Sequence, residues 1–210
     1  MKKYNTKLLT EKLQQQTGVL LDKAVQEWQM MSPAKFAEQP AAGEWSAMQC
    51  LDHLNMYGDY YLPAIEKVIN DAKQQLQQPA IVFKPGILGN YFTNMMRPGD
   101  DGRPAKKIKA FKNYNPTANS DSDVVIAKFI EQQEKLLALL DESKLIDLNK
   151  CRVPVSIAPY IKLKLGDVFM FLIAHNYRHV LQAERSLQHA GITATKKKTL
   201  PLQYFTAMFF

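Results

Sequence analysis

Residues 167–190, DVFMFLIAHNYRHVLQAERSLQHA, read as one long amphipathic helix. The stretch carries two histidines four residues apart, His175 and His179. With about 3.6 residues per turn, an i, i+4 pair leaves from one helix face, so both imidazoles can reach one ion. The zinc helix H-E-x-x-H uses the same spacing. Here Asn176 stands where that motif has its general-base glutamate, which excludes a zincin helix. Gly166 and Asp167 open the helix, and Gly191 suits the left-handed residue that follows a helix end.

Working outward, the rest of the chain supplies three further long helices. Residues 6–31 carry Leu9, Leu13, Leu20, Ala24 and Trp28 at helical spacing, and Pro33 ends the run. The second helix starts at Ser46, an N-cap with Gln49 in the capping-box position and Trp45 and Cys50 at the staple positions. It is expected to run to about residue 78. Pro63 should remove one ladder bond and bend it, and Gly58 costs about 1 kcal/mol relative to alanine. Two breakers in one strong helix imply that its middle has a special shape.

Residues 79–116 are punctuated by prolines 79, 85, 98, 104 and 116 and glycines 86, 89, 99 and 102. Within them residues 87–96, ILGNYFTNMM, are apolar enough for a short packed helix. We read the whole stretch as a long crossover covering part of the bundle. The third helix spans about 122–141, with Asp121 and Asp123 at its positive end. Residues 142–166 are expected to be irregular or partly extended. The architecture predicted is all-α: a four-helix bundle with a long crossover between helices 2 and 3. It forms one domain over 1–210, with a core of about 6–190 and an apolar tail over 191–210.

Composition narrows the function. Apolar residues make up 46% and charged residues 22%, as in ordinary globular domains. No apolar run reaches the roughly 20 residues of a membrane span, and the N-terminus lacks the apolar segment of a secretory signal. Cys50 and Cys151 form no disulfide framework, so a cytoplasmic setting is expected. The net charge of +7 resides partly in Lys106, Lys107, Lys109 and Lys196–Lys198, without interleaved stacking aromatics or a DNA-binding motif around them. We therefore expect a solvated surface rather than a nucleic-acid partner. The apolar tail must be buried against the bundle or a neighbouring subunit, which makes a homodimer the expected assembly.

The chain has four histidines. His53, on the second helix, shares its face with Met56, Tyr57 and Tyr60. His175 and His179 share theirs with Phe171, Gln182 and Ser186. If helices 2 and 4 pack together, three imidazoles meet, and three imidazoles plus an open position make a reasonable catalytic zinc site. Nickel or iron is also satisfied by imidazole. A histidine on an apolar helix face is, however, more often a hydrogen-bonded core residue. Periodicity alone does not make the two helices neighbours.

Three motifs together go further: Glu44-Trp45-Ser46, Leu51-Asp52-His53-Leu54 and the late H-x-x-x-H-x-x-Q of His175, His179 and Gln182. In combination they resemble the DinB-like superfamily of four-helix bundles, over about residues 6–190. Leu165-Gly166 matches the turn before the family's last helix. Val180 and Leu181 depart from its usual Arg-Gly. The resemblance implies that His53, His175 and His179 ligate a divalent metal, usually nickel or zinc. It leaves His189 without a role. It also implies either a metal-dependent hydrolase, using a water activated on the metal, or a transferase or isomerase of low-molecular-weight thiols.

Tyr57, Tyr60 and Gln182 are the candidates to line the pocket, with Gln182 able to orient a ligand. Asp59 and Glu184 point away from the histidine faces, so no general base stands out. Cys50 is expected to be a small buried residue, and Met95 and Met96 to pack. The partner expected is a small-molecule substrate or thiol. The alternative is a non-catalytic bundle that binds a small ligand or serves as an interaction module.

Overall fold

The computed structural model describes residues 2–99, 102–103, 109–117 and 119–189. The apolar tail, and the lysines at 106, 107 and 196–198, lie outside the described residues.

Helix α1 (Thr6–Lys23) is capped by Asn5, whose side-chain oxygen accepts the Leu8 N–H at 3.1 Å. It does not continue as a regular helix to residue 31. Residues Ala24–Trp28 form one wide π-helical turn that delivers Trp28 into the core, 5.7 Å from the Phe36 ring and 6.4 Å from Phe129. Phe36 belongs to a short helix α2 (Pro33–Phe36). Ahead of α1, strand β1 (Tyr4–Asn5) pairs antiparallel with β2 (Val82–Phe83) in the crossover.

The capping box forms as expected. Ser46 Oγ accepts the Gln49 N–H at 3.1 Å, and Gln49 Oε1 accepts the Ser46 N–H at 3.0 Å. Helix α3 (Ala47–Gln74) follows, running unbroken through Pro63. Pro63 lies on the exposed side, where water can satisfy the carbonyl that loses its partner. The helix stops short of residue 78 because Leu76 turns into the left-handed region (φ 53°). The special shape at mid-helix is a close approach: a Cβ on Gly58 would lie 2.0 Å from Gln132 Oε1.

Helix α4 (Ile87–Met96) is the predicted crossover helix, and α5 (Ser122–Glu142) is capped by Asp121, which accepts the N–H groups of Asp123 and Val124. The stretch expected to be partly extended is an antiparallel hairpin, β3 (Arg152–Val155) with β4 (Ala158–Lys164). It feeds directly into α6 (Leu165–His189).

Each of α1 and α3 packs against both α5 and α6, so the corners of the bundle run α1–α5–α3–α6. Helix α4 and the hairpin cover the outside of α6. Wrapped this way, α6 is buried on nearly every side from Leu165 to Leu187, polar residues included.

Close backbone contacts at the start of α6 pin the crossover. Leu165 and Gly166, expected to precede the helix, are its first two residues, and a Cβ on Gly166 would sit 2.5 Å from the Phe83 ring, which requires glycine there. Asp167 accepts the Gly86 N–H at 2.9 Å, and α4 comes so near that a Cβ on Gly89 would meet Asp167 Cγ at 2.2 Å. Burial in this contact raises the Asp167 carboxyl to about 6.

Candidate metal centre

Helices α3 and α6 are neighbours, which is what periodicity could not establish. Their contact brings His53, His175 and His179 together. Each offers a ring nitrogen, and the three nitrogens lie within 4.8 Å of one another. All three side chains are buried, at 3%, 2% and 8% exposure, so the cluster is shielded from bulk water. Burial pushes the pKa of each imidazole down. The neighbouring imidazoles and Arg178 add to this at His175 and His179, so the site favours the neutral rings.

Hydrogen bonds define how two of the rings face. His53 Nδ1–H donates to the backbone carbonyl of Tyr114 at 2.6 Å. A carbonyl only accepts, so the proton of this neutral ring is on Nδ1 and its Nε2 carries a lone pair. His179 Nδ1–H donates likewise to Gln182 Oε1 at 3.0 Å, one turn along α6. This is the arrangement by which proteins orient metal-ligating histidines.

The His53 and His175 Nε2 atoms face each other at 3.3 Å. Two nitrogens each about 2.0–2.1 Å from one ion at a tetrahedral angle are separated by about 3.3–3.4 Å. His175 Nδ1 is buried with no hydrogen-bond partner among the described residues. The donor set therefore fits a divalent metal: three buried imidazoles whose ring nitrogens lie close enough together to share one ion.

Aromatic rings wall the cluster. Trp45 lies 5.0 Å from His53 and 5.8 Å from His179, Tyr57 lies 4.5 Å from His175, and Phe171 stacks on His175 at 5.7 Å. Of the residues expected to line the pocket, Tyr57 packs against His175 and Gln182 bonds to His179. Tyr60 is half-buried and packs edge-on against Tyr61 at 5.1 Å; its described ring contact is not with a histidine. Tyr60 leaves α3 on nearly the same face as His53, but two turns, about 10 Å, further along the axis.

Asp59 and Glu184 are engaged elsewhere, as expected. Asp59 accepts from Lys128 and Gln132, and Glu184 pairs with the buried Lys23 at 2.6 Å. Cys50 is a fully buried core residue whose thiol burial holds in its protonated form, Met96 packs on the core, and His189 is exposed at the end of α6. The Tyr114 carbonyl escaped the sequence reading because it is a main-chain group, which any residue type supplies.

A bundle whose adjacent helices present three convergent neutral histidines defines the class. The family model of the DinB superfamily matches residues 16–183, and the chain belongs to that superfamily. A solved structure similar to it is YfiT from Bacillus subtilis, described as a probable metal-dependent hydrolase with an unusual four-helix bundle topology. The two share 14% identity and a TM-score of 0.48, with 89% of this chain and 87% of that chain covered. No curated protein matches the chain. Among the described residues, no helix is long and apolar enough to cross a membrane.

Proposed function

We propose that the protein is a metal-dependent enzyme acting on a small molecule, as a hydrolase or as a transferase of a low-molecular-weight thiol. The observation that carries the reading is the convergence of three buried imidazoles, two of them held by Nδ1–H bonds that leave Nε2 with its lone pair. A divalent ion held by His53, His175 and His179, with nickel or zinc preferred and iron next, supplies Lewis acidity that favours the anionic form of a water or a thiol near neutral pH.

The chain's own contribution is positional. Tyr114 and Gln182 keep two rings in the ligating tautomer. Trp45, Tyr57 and Phe171 keep the surroundings apolar, which strengthens electrostatic interactions within the site. Among the described residues, no carboxylate joins the histidine group. The apolar residues of 191–210 make a homodimer part of the same reading.

A second reading has its own support. His175 Nε2–H can donate to His53 Nε2 across the 3.3 Å contact, which suits a bundle that binds a ligand without a metal. Elemental analysis of untagged protein separates the two. We expect near-stoichiometric nickel, zinc or iron in the wild type and its loss in His179→Ala. Hydrolysis and thiol-transfer screens on the loaded protein then distinguish the two chemistries. Wild-type protein that takes up none of these ions leaves the second reading.

A further inference from the structure

His53 owes its orientation to a piece of chain far from it in sequence. The carbonyl that accepts its Nδ1–H belongs to Tyr114, at the end of a short 3-10 turn (Lys112–Tyr114) in the crossover. A main-chain acceptor can orient a ring only if the segment bearing it is itself held. Two contacts to α3 flank the His53 bond. Asp52 Oδ2 accepts the Thr117 N–H at 2.8 Å, three residues beyond the carbonyl. The Tyr114 ring packs on Tyr57 at 4.3 Å, one turn further along α3. Consecutive α3 residues thus face the same crossover segment: Asp52 anchors it, and His53 uses it.

We propose that Asp52 is a positioning residue of the metal centre. By holding the Thr117 amide it keeps the Tyr114 carbonyl over His53 Nδ1, and so keeps the Nε2 lone pair directed at His175 and His179. The proposal rests on the metal reading above. It assigns Asp52 no contact with the ion or the substrate, since its acceptor oxygen is spent on the crossover. A carboxylate beside the site also attracts a cation through its charge alone. Asparagine separates the two effects, because it keeps an acceptor oxygen and drops the charge.

The test uses the full-length chain, stripped of metal, as wild type, Asp52→Ala, Asp52→Asn and Thr117→Pro. Proline has no N–H, so the last variant breaks the same bond from the other side and leaves the carboxylate intact. Zinc affinity is read by competition with a chromophoric chelator, and the His53 tautomer in the metal-free protein by nitrogen-15 NMR. We expect Asp52→Ala and Thr117→Pro each to weaken zinc binding by about 10–100-fold, the usual effect of losing an outer hydrogen bond. Both should also lose the dominant Nδ1–H form of His53, while Asp52→Asn stays near wild type in both readouts. An unchanged affinity and tautomer in Asp52→Ala overturns the proposal. So does an Asp52→Asn variant as weak as the alanine, which makes the effect one of charge. Wild type that binds no zinc removes the metal reading and this proposal together. Wild type that binds while Asp52→Ala binds equally well removes this proposal only.

Discussion

Two buried polar clusters leave α6 from successive residues. His175 faces α3 and meets His53, whereas Asn176, about 100° further round the helix, faces α5 and meets Gln133. The amide cluster pairs unlike groups. Asn176 Nδ2 donates to Gln133 Oε1 at 3.0 Å, Gln132 Nε2 to the Asn55 carbonyl at 3.0 Å, and Asn55 Nδ2 to the Val125 carbonyl at 2.9 Å. The histidine cluster collects like groups, and at most one of the facing Nε2 atoms can donate to the other. Amides bring a donor and an acceptor each and lock helices in register. Convergent imidazoles have lone pairs in excess and call for a guest. The two clusters are similarly buried, and each leaves one polar atom without a partner among the described residues, Asn55 Oδ1 and His175 Nδ1; what separates them is that the amides pair unlike groups while the imidazoles bring like nitrogens together.

Replacing His175 by leucine gives the largest effect expected from this contrast. The variant loses metal uptake altogether, by elemental analysis. Its metal-free stability stays equal to wild type or rises by about 1–2 kcal/mol in urea unfolding, because a buried nitrogen without a partner is removed. A fall of several kcal/mol would place the histidines with the amides as structural groups. Gln132→Leu should do the reverse. It removes the donor to the Asn55 carbonyl and Asp59, costs about 1–3 kcal/mol in the same assay, and leaves metal content at the wild-type level.

The smallest effect concerns Asp167, a buried acid between the two cases, with one backbone partner and an elevated pKa. Below its ordinary value near 4, folded and unfolded chains both hold the proton, and Asp167 costs the fold nothing. Between that value and about 6 the unfolded chain ionises first, so stability falls as pH rises; above about 6 the loss is complete. Solvent screening reduces the total to the order of 1 kcal/mol. Asp167→Asn keeps an acceptor for Gly86 and should flatten this slope in unfolding midpoints taken from pH 4 to 7. An unaltered slope would assign it to other groups.

Much of this was legible in the sequence, for definable reasons. Helix starts were plain because the Ser46 capping box is a local pattern that spacing reveals, and because Asp121 and Asp123 mark the positive end of α5. His175 and His179 were legible as a pair because four residues on one helix are a local geometry. The addition of His53 required α3 and α6 to be adjacent. That is a long-range fact, and only the family resemblance anticipated it. Tyr60 shares the direction of His53, but spacing alone does not show how far along the helix a site extends, and its described ring contact is with Tyr61. The hairpin over 152–164 was only half visible, because its exposed edge, with Tyr160 and Lys162, lacks the clean alternation of a half-buried strand. The Tyr114 carbonyl left no trace in residue types at all.

The wide turn at Ala24–Trp28 has a consequence for comparing this chain with its relatives. In a regular helix, the eight residues from Leu20 to Trp28 would carry the tryptophan about 80° away from the leucine's face. The π turn absorbs one residue and returns Trp28 to the seam, where both are essentially inaccessible. It is the three-dimensional form of a single-residue insertion. Aligned with a bundle whose first helix is regular there, this chain needs a one-residue gap within 24–28; without it, Trp28 is matched to a position off the seam.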